Sequence, residues 1–296
     1  MRQSDEMDLF QKLIIATRAP FLGASLMPAL VAGALAISEG VFRPHLFLLA
    51  AFGVIFAHLG TNVANDYFDH KFSNFPRKKT GPTGGSFAIQ NKLFTQRQIL
   101  ALFLACFAVS LSIFALLGSI VGWWVFLLGF AGMLIGFFYT APQLRLSYNF
   151  PLGEIATFIG MGPLLVQTVY FVQAGSFSTL GWPISIFVGA LVSNILLAAQ
   201  LPDEQIDRRC AKRTLTTVCG LQATVLVLKI SLIAGAGALL VAYVSSSSLA
   251  LLGIAGIYPY ARAFSQIKKG NYPLALEGCI SALNWGALLC CIGLLL

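Results

Sequence analysis

Long apolar runs dominate this chain, and short polar segments separate them. A helix that crosses a bilayer needs about 20 mostly apolar residues, and nine stretches meet that criterion. They are residues 20–38, 45–64, 98–117, 119–138, 154–174, 181–201, 222–241, 246–264 and 275–295. No segment shows the two-residue alternation that is typical of a membrane β-barrel strand. The pattern predicts an all-α, polytopic membrane protein with nine transmembrane helices in a single domain, residues 1–296.

The composition excludes a soluble or a disordered protein. Hydrophobic residues make up 57% of the chain, charged residues 10%, and the mean hydropathy is +0.82. Because a soluble domain typically carries about 25% charged residues, this chain has too few charges to cover a surface that faces water. The six cysteines include no Cys-x-x-Cys pair, so we predict neither a disulfide framework nor a zinc site. We therefore expect membrane lipid, and not nucleic acid, around the protein.

The basic residues predict the orientation in the membrane. Seventeen of the 19 Lys and Arg lie in the N-terminal segment or in the loops after spans 2, 4, 6 and 8, which share one side if nine spans alternate. The positive-inside rule makes that side cytoplasmic. We expect an inner or plasma membrane protein with a cytoplasmic or interfacial N-terminal segment, residues 1–18, and its C-terminus outside. Residues 65–97 and 202–217 are then expected to be cytoplasmic cap loops.

Two clusters of acidic and amide side chains stand at the ends of spans 2 and 6. If the first helix continues, Asn62, Asp66 and Asp69 lie on one face, and Asn65 lies four residues before Asp69. The second cluster repeats the four-residue spacing with Asp203 and Asp207. Both aspartates are predicted metal ligands. Like charges at this spacing destabilise a helix, and carboxylates at a membrane are costly. We interpret the clusters as functional.

Opposed carboxylate pairs suit Mg²⁺, which proteins typically hold with one or two carboxylates together with substrate phosphates. Basic side chains close to the clusters would neutralise the remaining phosphate charge. The candidates are Lys71, Lys78, Lys79, Lys212 and Arg213. Two other interpretations remain: helix-end charges that face water, and the acidic sites of a transporter, although transporters more often carry such acids near the bilayer midplane.

The two clusters resemble the motifs of the UbiA superfamily of intramembrane prenyltransferases. That family pairs an Asn-Asp-x-x-Asp motif after helix 2 with an Asp-x-x-x-Asp motif after helix 6, where this chain has residues 65–69 and 203–207. Residues 62–69, 136–154 and 212–215 are further similar to the 1,4-dihydroxy-2-naphthoate polyprenyltransferases of menaquinone synthesis. The resemblance extends through nearly the whole chain.

The resemblance implies a UbiA-like helix bundle and Mg²⁺-dependent transfer of a prenyl group. A polyprenyl diphosphate would be the donor and 1,4-dihydroxy-2-naphthoate the acceptor, giving demethylmenaquinone with loss of CO₂. Two Mg²⁺ ions would be held by Asn62, Asp66, Asp69, Asp203 and Asp207. The family pattern adds Arg18 and Arg145 to the substrate-binding residues, which also include Asn62 and Asn65, and it gives Tyr139 a catalytic role.

Some alternatives stay open at this point. Residues 73–75 lack an acid that the family usually carries there, which keeps a different aromatic acceptor in view, as well as a non-enzymatic transporter or paralogue. Tyr139 could instead belong to the aromatic belt at the membrane interface. Residues 81–86 could form a cap over diphosphate or a simple turn. The sequence predicts neither the prenyl chain length nor the oligomeric state.

Overall fold

A computed structural model describes residues 7–72 and 85–296 of the chain, and within these ranges the protein is helical and contains no β-strand. The α-helices are α1 Leu9–Thr17, α2 Gly23–Ser38, α3 Pro44–Phe72, α4 Gln96–Val121, α5 Trp123–Phe138, α6 Leu152–Ile159, α7 Leu165–Ala174, α8 Gly181–Arg209, α9 Leu215–Ser246, α10 Pro259–Lys268 and α11 Tyr272–Leu295. A π-helical turn, Gly160–Leu164, joins α6 to α7, and 3₁₀ segments lie at Ala19–Phe21, Leu146–Tyr148 and Leu249–Ile257.

Seven helical segments of the described chain are long and apolar enough to cross a membrane, so the predicted count of nine is not confirmed. Of the other two predicted spans, 119–138 becomes the 16-residue helix α5, because Gly122 leaves helical geometry with φ of 145°. The span predicted at 246–264 divides into a 3₁₀ segment and α10. Proline has no N–H to continue a helix but fits its first turn, and Pro259 begins α10.

Helices α3 and α8 carry the two predicted clusters, and both continue beyond the apolar part of their spans. Each has 29 residues; α3 ends at Phe72 and α8 at Arg209. The predicted cap loops at 65–97 and 202–217 therefore begin with helical turns. The helical spacing assumed for the acidic residues holds, and Pro202 lies inside α8.

Helix α8 is the centre of the bundle. Phe187 and Leu191 of α8 are buried together with Leu35 of α2, Leu239 of α9 and Leu283 of α11 in the largest apolar cluster. Among the seven apolar spans of the described residues, α8 has the largest buried share, and the second acidic cluster lies at its end. A carboxylate there is held by neighbours on several sides, which limits the number of positions that its side chain can take.

Two glycines bring the π-helical turn into direct contact with α8. A Cβ atom added at Gly162 would lie 2.6 Å from Cα of Gly189, which is closer than any real Cβ contact. The backbones of the two segments therefore touch. This contact lies in the first half of α8, and α6, which precedes the π turn, also packs along α8.

Helix α9 is divided near its start. Gly220 has φ of 81° and ψ of 176°, which is not helical and which residues with a side chain rarely adopt. The first turn, Leu215–Cys219, therefore stands apart from the long membrane segment that follows. Thr214 caps this turn, because its side chain and that of Thr217 accept hydrogen bonds from each other's backbone N–H groups.

Candidate active site

The ends of α3 and α8 face one polar cavity of about 130 Å³. Asp69 of the first predicted cluster and both acids of the second, Asp203 and Asp207, line it together with Arg18 and Lys212. Asp203 and Asp207 are buried, the latter with 1% of its surface exposed. Three of the four acids predicted to hold Mg²⁺ therefore share a small cavity with two cations.

Asp66, the remaining predicted acid, is buried against other parts of the chain. It forms an ion pair with Arg18 and accepts a hydrogen bond from the hydroxyl of Ser86. The backbone N–H of Ser86 also lies 3.2 and 3.1 Å from its two carboxylate oxygens. A Cβ atom at Gly85, where φ is 133°, would lie 3.2 Å from Asp66 Oδ1, so glycine suits this close approach. Asp66 thus holds residues 85–86 and Arg18 beside the cavity.

The two predicted amide ligands have protein partners. Asn62 donates a hydrogen bond of 3.1 Å from Nδ2 to the carbonyl oxygen of Thr17, and Oδ1 of Asn65 accepts one from the hydroxyl of Thr140. The first contact joins α3 to the end of α1 and the second joins it to the loop after α5. These amides connect the first cluster to its neighbours, and Asn65 also lines the polar cavity.

The predicted basic residues do not act as one group. Arg18 and Lys212 line the cavity, and Nζ of Lys212 lies 3.6 Å from Oδ2 of Asp207. Lys71 is exposed, with its Nζ 3.4 Å from the hydroxyl of Tyr67. The other predicted basic residues that the structure describes, Arg145 and Arg213, do not line the cavity. Lys78, Lys79, residues 73–75 and most of residues 81–86 lie outside the described residues.

Tyr139, at the end of α5, lines both the polar cavity and a second, apolar cavity. Desolvation of its hydroxyl raises the pKa to about 12; a hydrogen bond with Thr157 acts in the opposite direction, and the carboxylates of Glu154, Asp207 and Asp69 raise it further. The hydroxyl is therefore neutral at physiological pH. Its place between two cavities favours a role in the site over one in an aromatic belt.

The apolar cavity has a volume of about 200 Å³ and lies between α3, α4, α5 and the segment from α6 to α7. Phe114, Leu128, Met161 and Leu164 are among its lining residues. Asn65, like Tyr139, lines both cavities, so the two spaces meet at these side chains. The protein offers a charged compartment at one end and an apolar one inside the helix bundle.

Five residues that contribute to the site's geometry were not among the predicted site residues. They are Ser86, Thr140, Tyr148, Glu154 and Gln200. Oε1 of Glu154 accepts hydrogen bonds from Nε2 of Gln200, at 3.0 Å, and from the backbone N–H of Leu215, at 2.9 Å. One carboxylate in the first turn of α6 therefore joins α8 to the start of α9. A charged residue at the start of an apolar span is the signal that could have indicated this position.

Replacing Glu154 by alanine is expected to destabilise the protein by about 1.5–3 kcal/mol, because hydrogen bonds to a charged acceptor are lost. Thermal unfolding of the detergent-solubilised protein would measure the change. Glu204→Ala is the matched control, since Glu204 makes a partly exposed pair with Arg208 at 3.0 Å, one helical turn away, and such pairs contribute little. Equal effects of the two substitutions would contradict a connecting role for Glu154.

The model of the UbiA prenyltransferase family matches residues 25–276. The chain belongs to the UbiA prenyltransferase family. This confirms the resemblance that the two acidic motifs indicated, and together with the seven apolar helices it identifies an integral membrane protein.

Named relatives indicate which branch of the UbiA family this chain resembles. The chain is 29% identical, over 81% of its length and 73% of the relative's, to the 1,4-dihydroxy-2-naphthoate octaprenyltransferase of Bacillus subtilis (strain 168). It is 26% identical to the enzyme of the same name from Mycobacterium tuberculosis, covering 76% of this chain and 75% of that protein. These similarities agree with the predicted branch.

Solved structures of UbiA homologues share the fold. A homologue from Archaeoglobus fulgidus bound to DMAPP and Mg²⁺ matches with a TM-score of 0.66 and 14% identity, covering 94% of this chain and 98% of that one. An apo homologue from Aeropyrum pernix K1 matches with a TM-score of 0.66 and 19% identity, over 90% of this chain and 96% of that one. At these identities the comparison establishes the fold.

Proposed function

We propose that this UbiA-family protein transfers a polyprenyl group from polyprenyl diphosphate to an aromatic acceptor in a Mg²⁺-dependent reaction. The observation that carries the proposal is the pair of cavities that meet at Asn65 and Tyr139. One end of this space is charged and the other is apolar. A polyprenyl diphosphate has the same division, with an anionic head and a hydrocarbon tail.

The residues of the polar cavity fit a metal–diphosphate complex. Asp69, Asp203 and Asp207 supply carboxylate oxygens, which Mg²⁺ prefers, and diphosphate oxygens would supply the rest of its coordination. Across the described residues, no three acidic, His or Cys side chains converge closely enough to hold an ion alone. The donor set therefore suits ions that bind together with the substrate, and two is the number that the family resemblance implies. Asp66 would become a further ligand of these ions by giving up its contacts with Arg18 and Ser86.

The cations of the cavity would bind the head of the donor. The Arg18 guanidinium and the Lys212 ammonium are already paired with Asp66 and Asp207, so both are held at the edge of the cavity. Charge-assisted hydrogen bonds from such groups to phosphate oxygens are strong and directional. When bound, Mg²⁺ would neutralise charge on the leaving diphosphate.

The junction of the cavities is where we place the reacting allylic carbon. The ring of Tyr139 lies there, and an aromatic face stabilises a neighbouring positive charge. Its hydroxyl is neutral, so it brings no negative charge that would capture the cation. The apolar cavity would hold the tail and exclude water, which favours attack by the aromatic ring over hydrolysis.

We propose 1,4-dihydroxy-2-naphthoate as the acceptor, with demethylmenaquinone formed and CO₂ lost. The support is the similarity to the Bacillus and Mycobacterium enzymes whose names specify that acceptor. We also propose that the protein lies in the cell's inner or plasma membrane, with its N-terminus and active site on the cytoplasmic side and its C-terminus outside. The bias of Lys and Arg supports this orientation.

Product formation by the protein in nanodiscs would test the proposal. With a polyprenyl diphosphate and 1,4-dihydroxy-2-naphthoate, we expect demethylmenaquinone to form with Mg²⁺ and to disappear when EDTA removes the ion. Mass spectrometry of the extracted lipid would measure it. Metal-dependent diphosphate release with a hydroxybenzoate but not with the naphthoate would overturn the acceptor and keep the chemistry. Failure to bind or cleave any prenyl diphosphate would overturn the enzyme.

A further inference from the structure

Tyr148 lies between the two acidic clusters, in the 3₁₀ segment of the loop that joins α5 to α6. Its side chain is buried, with 5% of its surface exposed. Its hydroxyl donates a hydrogen bond of 2.7 Å to Oδ1 of Asp69, which is 79 residues away in the sequence. The first cluster is thus attached to a loop that belongs to neither α3 nor α8.

The ring of the same tyrosine contacts two cations, one of which pairs with an acid of the second cluster. Nζ of Lys212 lies 5.6 Å from the ring centroid and 3.6 Å from Oδ2 of Asp207. The guanidinium of Arg145 also lies over the ring, with its Cζ atom 3.8 Å from the centroid. Cation–π contacts of this kind are attractive and hold the ring in place. One side chain therefore contacts an acid of the first cluster and the cation that pairs with an acid of the second.

The backbone fixes this loop to the second cluster. Arg213 donates its N–H to the carbonyl of Tyr148, at 3.1 Å, and its own carbonyl accepts from the N–H of Phe150, at 2.8 Å. Asn149 and Arg213 form an isolated parallel bridge. The position of Tyr148 is thus set relative to residues 212–213, which lie in the short connection between α8 and α9.

We propose that Tyr148 is a positioning residue that sets the spacing of the two acidic clusters across the polar cavity. Its hydroxyl orients the Asp69 carboxylate while the loop backbone and Lys212 hold the ring to the second cluster. The inference rests on the proposed function, since the spacing matters because a metal–diphosphate complex must reach both clusters. Partners that orient metal ligands typically account for a 10–100-fold effect on metal affinity or activity.

The Tyr148→Phe variant tests the proposal, because it keeps the ring and its cation contacts and removes the hydrogen bond to Asp69. Binding of Mn²⁺ to the protein in nanodiscs, with inorganic diphosphate present, is followed by electron paramagnetic resonance. We expect the Mn²⁺ midpoint to rise about tenfold. The melting temperature should fall no further than in the control.

Tyr170→Phe is the matched control. Tyr170 is also buried, and its hydroxyl also donates a hydrogen bond to a carboxylate. That carboxylate belongs to Glu39, which caps the C-terminal end of α2. We expect its Mn²⁺ midpoint to equal that of the wild type. A positioning role predicts a higher Mn²⁺ midpoint with the same melting temperature as in the control. A purely structural role does not predict that combination, so the two measurements distinguish the two roles.

Three outcomes would count against the inference. A wild-type Mn²⁺ midpoint in Tyr148→Phe, while Asp69→Asn weakens binding, would overturn the role of Tyr148 alone. Equal shifts in the Tyr148 and Tyr170 variants would assign the hydroxyl a general structural role. If Asp69→Asn and Asp203→Asn also leave diphosphate-dependent Mn²⁺ binding unchanged, the proposed function itself fails.

Discussion

Asparagine in place of Asp203 or Asp207 is expected to slow prenyl transfer by about 10²–10³-fold, the usual result of removing one group that stabilises charge at a reacting centre. Both carboxylates are buried and line the polar cavity. Asparagine has nearly the same shape, so the loss would come from charge and not from packing. Initial rates with the donor and Mg²⁺ both near saturation would measure it.

Glu204→Gln is the control within the same helical turn. Glu204 is adjacent to Asp203 but pairs with Arg208 in a partly exposed salt bridge instead of lining the cavity. Its rate should stay within about twofold of the wild type, because exposed pairs contribute little. If Glu204→Gln is as slow as Asp203→Asn, the effect is a general response to lost charge at the end of α8, and the assignment of Asp203 is wrong.

Phenylalanine at Gly132 is expected to lower kcat/KM for a long polyprenyl donor by about 100-fold or more. Gly132 of α5 lines the apolar cavity, and a Cβ atom added there would meet only Leu164 Cδ2, at 3.8 Å, among the described residues. The helix can therefore accept the side chain, whose ring would fill space for the tail. If the ring keeps several carbons of the tail out of the cavity, binding of the donor weakens by about 0.8 kcal/mol for each CH₂ group that is no longer buried.

The comparison that isolates this effect uses donors of different length. With dimethylallyl diphosphate, which has one isoprene unit, the loss in Gly132→Phe should be much smaller than with the polyprenyl donor. Gly237→Phe in α9 is the control, since no described heavy atom lies within 4 Å of a Cβ built there. Equal losses with both donors would contradict the assignment of the cavity to the tail.

Much of the fold follows from the hydrophobic pattern, because a bilayer requires long apolar helices that satisfy their own backbone hydrogen bonds. The pattern does not decide where a helix breaks inside an apolar stretch. The φ of 145° at Gly122 and the helix start at Pro259 divide or shorten two predicted spans without changing their hydropathy. Local backbone geometry, to which hydropathy is insensitive, explains the difference.

The site was predictable where its residues lie on one helix and was not where they meet across helices. Asp203 and Asp207 could be grouped because residues four apart lie on the same face of a helix. It could not assign Ser86 to Asp66, 20 residues away, because that contact depends on how the chain returns to α3. It also treated all nearby cations alike, although only Arg18 and Lys212, among those described, line the cavity.

The non-helical residue Gly220 separates two parts of α9 that have different surroundings. The turn before it bonds Glu154 through Leu215 and adjoins the Lys212 segment, whereas the residues after it form the long membrane segment. A membrane helix changes its tilt when bilayer thickness changes. Because the continuous helical ladder ends at this joint, rotation there can absorb such a tilt. We therefore expect the geometry of the polar cavity to depend little on bilayer thickness.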